Sequence, residues 1–156
     1  MTMAARVRDW LEQQHVNYEV LPHREAYTAQ EVAGAVHIPG HTYAKVVMLR
    51  GRQGLAMAVL PAKCRVDLGR MRQLLADGTV TLAREMDFAG AFNDCEPGAM
   101  PAFGNLYGLP VYLDRDLTCE PTIAFPAGTH REVVRIGSQD FLKLTGAEVV
   151  EFCQGE

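Results

Sequence analysis

The residues best suited to chemistry are a lysine beside an apolar run and a glycine-rich segment in the second half of the chain. Lys45 directly precedes apolar residues 46–49, so its ammonium could meet a phosphate or carboxylate in a cleft at the strand end. The glycine-rich segment consists of Gly98, Ala99, Met100, Pro101, Ala102, Phe103 and Gly104. Glycines around a proline let backbone amides turn toward one point, where they can bind an anion. On pattern alone, an exposed lysine and a structural turn are the commoner interpretations.

Histidines and cysteines give weaker signals. His130 lies on a loop that enters a strand, where an imidazole could act as an acid, a base or an orienting donor, or have no role at a site. His37 and His41 have an i, i+4 spacing that Pro39 interrupts, so we expect neither a metal site nor a cofactor. The four cysteines are far apart, without a C-x-x-C pair, and we expect reduced thiols. Cys95 is predicted to be a buried thiol rather than a nucleophile.

Composition predicts one globular domain over residues 1–156. The chain is 48% hydrophobic and 22% charged, which provides for one core and argues against disorder or a membrane span. Charged residues interrupt the N-terminus before any sustained apolar run, so we expect a cytoplasmic protein without a secretory signal. The net charge of −4 argues against broad binding to DNA or another nucleic-acid backbone, but it permits contact with one terminal nucleotide.

The elements that must position these residues mix helices and strands. Apolar runs 45–50 and 55–60 flank a glycine-containing turn, which predicts a hairpin at the centre of a sheet. Further strands are predicted at residues 18–21, 111–113, 122–125 and 133–136. Helices are predicted to follow Thr28, Asp67 and Ser138 as N-caps and to form near residues 7–11 and 83–88. Residues 95–110 lack periodicity and are predicted to form a long loop. Without regular βαβ alternation, an α+β fold with a mixed, mostly antiparallel sheet is favoured.

Four segments in this order and spacing resemble the YbaK and prolyl-tRNA synthetase-associated domain family of aminoacyl-tRNA deacylases. They are PHREAYTAQEVA at 22–33, YAKVV at 43–47, DCEPGAMPAFG at 94–104 and GTHREVVRI at 128–136. The resemblance covers nearly the whole chain. It departs from the family at Ala102, where the loop commonly has proline, and at Val46, where some members have asparagine.

The resemblance implies a β-barrel-like sheet surrounded by helices and a defined reaction. Family members hydrolyse the ester that joins a wrong, small amino acid to the terminal ribose of a tRNA. Lys45 and the amides of Gly98, Ala99 and Met100 are thereby implied as catalytic, since preorganised N–H donors can stabilise an oxyanion without a protein nucleophile. Implied substrate-binding residues are Tyr27, Pro101, Ala102, Phe103, Gly104 and His130.

The implied partner is the acceptor end of a mischarged tRNA, and an aminoacyl-tRNA synthetase stays open as a second partner. One alternative belongs to another functional class. The chain could be a binding module that recognises an aminoacyl or aminoacyl-adenylate-like ligand, or a synthetase, without turnover. Multiple turnover on mischarged tRNA distinguishes the enzyme from the binding module.

Overall fold

The computed structural model describes residues 4–155 and has an α+β architecture. The helices are α1 (Ala5–Gln13), α2 (Ala29–Ala35), α3 (Leu68–Leu74), α4 (Glu85–Phe88) and α5 (Ser138–Thr145). Short 3-10 helices span Ala89–Phe92, Gly104–Tyr107 and Arg115–Cys119. The first five strands are β1 (Tyr18–Pro22), β2 (Ala44–Gly51), β3 (Gly54–Pro61), β4 (Arg65–Val66) and β5 (Thr81–Leu82). The other five are β6 (Val111–Asp114), β7 (Thr122–Pro126), β8 (Glu132–Gly137), β9 (Glu148–Val150) and β10 (Cys153–Gln154).

The strands form three sheets. A five-stranded sheet has the order β5-β2-β3-β6-β9, with the predicted hairpin of β2 and β3 at its centre and parallel pairing of β3 with β6 and of β6 with β9. An antiparallel sheet has the order β1-β8-β7, and β10 pairs with β4. A parallel bridge between Tyr43 and Ala124 links the start of β2 to β7. The α+β class with a mixed sheet is confirmed, whereas the strands of residues 4–155 do not close into a barrel.

Local capping explains where two of the predicted helices begin. In α2, the Thr28 hydroxyl accepts from the Glu31 amide at 3.1 Å, and the Glu31 carboxylate accepts from the Thr28 amide at 3.2 Å. Asp67 likewise accepts from the Arg70 amide at 3.0 Å at the start of α3. The predicted cap at Ser138 is wrong, because Gly137 is the N-cap of α5 and the Ser138 hydroxyl instead donates to the Glu120 carbonyl at 2.5 Å.

An aromatic cluster in the main core fixes the glycine-rich segment. The Phe103 ring is fully buried, and its centroid lies 5.0 Å from those of Trp10 and Phe125 and 5.8 Å from that of Phe141. Burial of a phenylalanine side chain contributes about 1.5–3 kcal/mol, and aromatic pairs add to this. The predicted long loop is therefore anchored in its middle, and its residues 104–107 form a 3-10 turn.

The expectation of four reduced cysteines is wrong for one pair. Cys64 and Cys153 form a disulfide across 89 residues of sequence, beside the pairing of β4 with β10. Cys95 and Cys119 are free thiols. Paired cysteines that are distant in sequence leave no local spacing signal, which is why the sequence did not indicate this bond.

No helix within the described residues is long and apolar enough to cross a membrane.

Candidate active site

A cavity of about 200 Å³ is lined by Lys45 and by the start of the glycine-rich segment, the two features that the sequence marks as best suited to chemistry. Lys45 reaches it from the start of β2, and Gly98 and Ala99 reach it from the glycine-rich segment. Its apolar lining is completed by Ala29, Val32, Val46 and Pro126. Its other polar lining consists of His23, Tyr27, Tyr43, Thr129, His130 and Glu132. Lys45 and the first glycine of the segment therefore face one cavity, as the proposed site requires.

Two loops hold each other beside this cavity. Nε2 of His130 lies 2.7 Å from the carbonyl oxygen of Pro97, and the His130 amide donates to the Glu96 carboxylate at 2.7 Å. The Glu96 amide donates to the Gly128 carbonyl at 2.8 Å, and the Gly128 amide donates to the Ala99 carbonyl at 2.9 Å. These four contacts cross more than 25 positions of sequence and fix the position of the segment relative to the strand that follows it.

The three backbone amides predicted to bind an oxyanion differ in availability. The Ala99 amide donates to the Glu96 carbonyl at 3.0 Å, so it already closes a turn. Among the backbone hydrogen bonds of turns and loops within residues 4–155, none has the amide of Gly98 or Met100 as its donor. Gly98 has a φ of +83°, in the left-handed region that glycine adopts without steric cost, and it lines the cavity. Gly98 is therefore the best-placed amide for a substrate oxygen.

The remainder of the glycine-rich segment lies away from the cavity. Met100, Pro101, Ala102, Phe103 and Gly104 are buried and do not belong to its lining. A Cβ added at Gly104 would lie 2.9 Å from the Val111 side chain, so close packing against β6 requires glycine there. These five residues, for which direct substrate contacts were predicted, thus lie outside the cavity lining, because Phe103 draws this half of the segment into the core. We propose a supporting role for them.

Tyr27 and His130 stand together at the mouth of the cavity. Their ring centroids are 4.5 Å apart, and Tyr27 is 60% exposed. A hydrogen bond from the Tyr27 hydroxyl lowers the pKa of the Glu25 carboxyl, and nearby Arg131 lowers this pKa further. Both of these predicted substrate-binding residues therefore line the cavity, and Tyr27 is open to solvent.

Three polar side chains in the cavity wall were not among the predicted site residues. His23 Nε2, Tyr43 OH and Glu132 Oε1 are buried and lack a hydrogen-bond partner within the described chain. Burial also raises the pKa of the Tyr43 hydroxyl, which stays protonated at neutral pH. The segments that carry the resemblance contain all three, but no sequence pattern indicates that these atoms lack hydrogen-bond partners.

Similarity to known proteins identifies the family of this chain. A family model described as an aminoacyl-tRNA editing domain matches residues 23–144, which contain every residue of the cavity wall. The chain belongs to the aminoacyl-tRNA editing domain family. The resemblance seen in the four sequence segments is thereby confirmed.

Two solved structures resemble this editing domain over nearly the whole chain, at 30% and 28% sequence identity. A scaffold protein used for computational epitope grafting is 30% identical, with 97% of each chain covered and a TM-score of 0.85. A candidate trans-editing enzyme for prolyl-tRNA synthetase is 28% identical, again with 97% of each chain covered and a TM-score of 0.85. A hypothetical protein of 18% identity, with 96% and 99% covered and a TM-score of 0.86, shares the fold. No curated protein matches the chain.

Cys95 is poorly suited to act as a nucleophile in this editing domain. Burial is the main cause that raises the pKa of its thiol to about 11, and the neighbouring Asp94 carboxylate adds to the increase. The thiol lies 3.4 Å from the Tyr107 hydroxyl, and Cys95 does not line the cavity. Since the thiolate is the reactive form, Cys95 is held in its unreactive form at neutral pH.

One group of three potential metal ligands occurs in the described part of the editing domain. It consists of Cys64, Asp116 and Cys153, whose ligand atoms lie within 4.8 Å of one another. Two of its members are the disulfide-bonded pair, so their sulfur atoms are not available as thiolates. This group does not overlap the cavity lining.

Proposed function

We propose that this editing domain hydrolyses the ester of a tRNA that carries a wrong, small amino acid. The observation that carries the proposal is the meeting of Lys45 and the Gly98 amide at one small cavity. Its volume of about 200 Å³ is below the range of about 300–1,000 Å³ typical of pockets for drug-sized ligands. The cavity therefore suits an aminoacyl group, with the terminal nucleoside outside it near Tyr27.

The proposed reaction is attack of a water molecule on the ester carbonyl. The carbonyl carbon becomes tetrahedral and its oxygen gains negative charge, which the Gly98 amide and the Lys45 ammonium stabilise. The bond from this carbon to the ribose oxygen then breaks. The attacking water gives up both of its protons, one to the ribose oxygen and one to solvent, and the amino acid leaves as a carboxylate. Preorganised donors of this kind account for a large part of catalysis in many hydrolases, so no protein nucleophile is needed.

The cavity wall supports selection of small side chains. Ala29, Val32 and Val46 give the cavity an apolar lining, and its volume of about 200 Å³ leaves room for a small side chain but not for a large one. Selection by size suits an editing reaction, because a synthetase rejects an amino acid that is one methylene smaller by only about 1–3 kcal/mol. A second, smaller site that accepts the wrong amino acid and excludes the correct one increases fidelity.

The proposed partner is the acceptor end of a mischarged tRNA, and a synthetase is proposed as a second partner. The relative at 28% identity is a candidate trans-editing enzyme for prolyl-tRNA synthetase, which makes tRNA for proline the first substrate to test. We propose that the whole chain, residues 1–156, works as one domain in the cytoplasm, where aminoacyl-tRNAs are made and used.

Hydrolysis of a defined panel tests this function. The tRNA for proline is charged with glycine, alanine, serine, cysteine or proline, and loss of the ester is followed with substrate in excess over enzyme. We expect multiple turnover with at least one small amino acid and little hydrolysis of the prolyl ester. Intact esters across this panel and across other tRNAs carrying small amino acids would overturn the proposal. Saturable binding without ester loss would establish the binding module instead.

A further inference from the structure

Several buried polar atoms in the cavity lining lack hydrogen-bond partners. Within residues 4–155, four buried side-chain nitrogen or oxygen atoms have no hydrogen-bond partner. Three of these four, on His23, Tyr43 and Glu132, belong to residues that line this cavity. Buried polar groups in proteins are almost always hydrogen-bonded, so a cluster of exceptions at one cavity indicates a ligand that supplies the missing partners.

The chemistry of these atoms specifies the kind of ligand. Nδ1 of His23 lies 2.5 Å from the carbonyl oxygen of Arg24, so Nδ1 carries the proton and Nε2 of the neutral ring is an acceptor. Glu132 Oε1 is an acceptor, and the Tyr43 hydroxyl can accept as well as donate. These three atoms therefore suit a group with several N–H donors.

The pairing of β1 with β8 brings His23 and Glu132 to one end of this sheet, where both line the cavity. Pro22 of β1 pairs with Glu132 of β8, and the next residue, His23, donates from its amide to the Arg131 carbonyl at 2.8 Å. The donors that suit a carbonyl oxygen come from other elements, namely the Gly98 amide in the glycine-rich segment and Lys45 in β2. The cavity lining thus offers both acceptors and donors, with Tyr43 two residues before Lys45 in the chain.

We propose that Glu132, together with His23 and Tyr43, binds the free α-ammonium group of the aminoacyl ester. An aminoacyl ester has a carbonyl oxygen, which needs donors, and an adjacent ammonium, which has three N–H donors. Three acceptors in the lining of one cavity match these three donors, and a carboxylate among them matches the positive charge. Glu132 is therefore a positioning residue that orients the carbonyl toward the Gly98 amide. This inference rests on the proposed function.

The decisive experiment replaces the ammonium without adding bulk. Hydrolysis of alanyl-tRNA is compared with that of lactyl-tRNA, in which a hydroxyl stands where the ammonium was. Both substrates are tested with the wild type, with Glu132→Gln and with Glu12→Gln, a charge-matched control at an exposed position of α1. Because the ammonium itself changes the reactivity of the ester, the measured quantity is the alanyl-to-lactyl ratio of kcat/KM in each protein.

We expect Glu132→Gln to lower this ratio by about tenfold to a hundredfold, the range that corresponds to one hydrogen bond to a charged group. The loss should appear mainly in KM for alanyl-tRNA, while lactyl-tRNA is hydrolysed nearly as before. Glu12→Gln should keep the wild-type ratio. An equal loss of both substrates in Glu132→Gln would show a merely structural role and overturn the inference.

A binding measurement separates this inference from the proposed hydrolysis. The probes are 3′-amide analogues of alanyl- and lactyl-adenosine, which cannot be cleaved as esters, and their affinities are measured by calorimetry. Preference of the wild type for the alanyl analogue, lost in Glu132→Gln, supports ammonium recognition even if no tRNA ester is hydrolysed. Equal affinities for the two analogues in the wild type would overturn it even if the ester is hydrolysed.

Discussion

The imidazole Nε2 of His130 lies 2.7 Å from the carbonyl oxygen of Pro97, the residue directly before Gly98. Because a carbonyl oxygen only accepts, Nε2 carries the proton, and the ring is used to hold the glycine-rich segment. The His130 amide adds a second contact, to the Glu96 carboxylate at 2.7 Å. The histidine that resembles a substrate-binding residue of the family thus also fixes the loop that presents the proposed oxyanion donor.

Gly98→Ala should impair the site more than the fold. At a φ of +83°, an alanine costs about 1–2 kcal/mol, and its Cβ would lie 3.6 Å from Cε1 of His130. We expect relief of this strain to turn the Gly98 amide away and to lower the rate of ester hydrolysis at least about tenfold. Single-turnover hydrolysis and urea unfolding measure the two effects.

Gly34→Ala provides a matched control for this change. Gly34 lies inside α2 and has no heavy atom within 4 Å of an added Cβ, so alanine should stabilise the helix by about 0.5–1 kcal/mol. Its hydrolysis rate should equal that of the wild type. If Gly98→Ala also kept the wild-type rate, the Gly98 amide could not be the donor that stabilises the oxyanion.

Lys45→Ala should abolish most of the activity with little change in stability. Lys45 lines the cavity and is only half-buried, so its loss removes positive charge from the site without opening the core. Removal of an oxyanion-stabilising donor typically lowers kcat by about 100-fold to 1,000-fold, and we expect a loss in this range. Lys143→Ala, at an exposed position of α5, is the control. Full activity of Lys45→Ala in the esterase assay would contradict the assigned role.

The features that the sequence predicted correctly depend on neighbouring residues. The capping box of Thr28 and Glu31 and the β2–β3 hairpin are formed by groups a few positions apart, so their patterns can be read directly. The family resemblance then joined Lys45 to Gly98 across 53 positions, which no local pattern could do. Their common cavity agrees with that prediction.

The features that the sequence missed depend on distant contacts. The family resemblance implied that the whole glycine-rich segment contacts the substrate, whereas Phe103 packs against Trp10 and Phe125 and takes half of the segment into the core. Glu132 was not among the predicted site residues, since burial of its Oε1 atom arises only when β1 pairs with β8 and the cavity forms. Aromatic packing and strand pairing, rather than local propensity, decided both outcomes.

Breaking the Cys64–Cys153 disulfide should destabilise the protein. The bonded cysteines are 89 residues apart, and disulfides typically contribute about 2–4 kcal/mol by restricting the unfolded chain, with longer loops at the upper end. Cys153→Ser should therefore unfold at lower urea concentration than the oxidised wild type, and reductant should remove the difference. Cys119→Ser, which replaces an exposed free thiol, should leave the effect of reductant unchanged. Equal stability of oxidised wild type and Cys153→Ser would be inconsistent with a stabilising bond.

Asp77 should make stability depend on pH in the acidic range. Its carboxylate accepts from the Thr79 hydroxyl at 2.6 Å, the Arg52 amide at 2.7 Å and the Thr79 amide at 2.8 Å, and these bonds lower its pKa to about 2. A pKa lowered by folding stabilises the protein above the ordinary value of about 4, and this contribution is lost as pH falls toward 2. Melting temperatures of Asp77→Asn and wild type should differ at pH 7 and converge near pH 2.

The control for this pH dependence is Asp9→Asn, at an exposed position of α1. Among the ion pairs of residues 4–155, the Asp9 carboxylate takes part only in one with its neighbour Arg8, at 3.5 Å. Its melting temperature should follow that of the wild type throughout the acidic range. A constant difference between Asp77→Asn and wild type from pH 7 to pH 2 would show that the carboxylate charge does not contribute.

Tyr43→Phe should increase stability while it weakens the activity. The Tyr43 side chain is fully buried and its hydroxyl has no hydrogen-bond partner within the described chain, so phenylalanine removes an unsatisfied polar atom and keeps the ring. An unsatisfied buried group costs about 1–3 kcal/mol, and we expect the free energy of unfolding to rise by about 1 kcal/mol. The same change removes one proposed partner of the substrate ammonium, so KM for alanyl-tRNA should rise several-fold. The control is Tyr18→Phe, in β1 outside the cavity lining. It should not combine a higher free energy of unfolding with a higher KM for alanyl-tRNA. A less stable Tyr43→Phe would mean that the hydroxyl already has a hydrogen-bond partner in the folded protein. The proposed ammonium site would then lose one of its three acceptors.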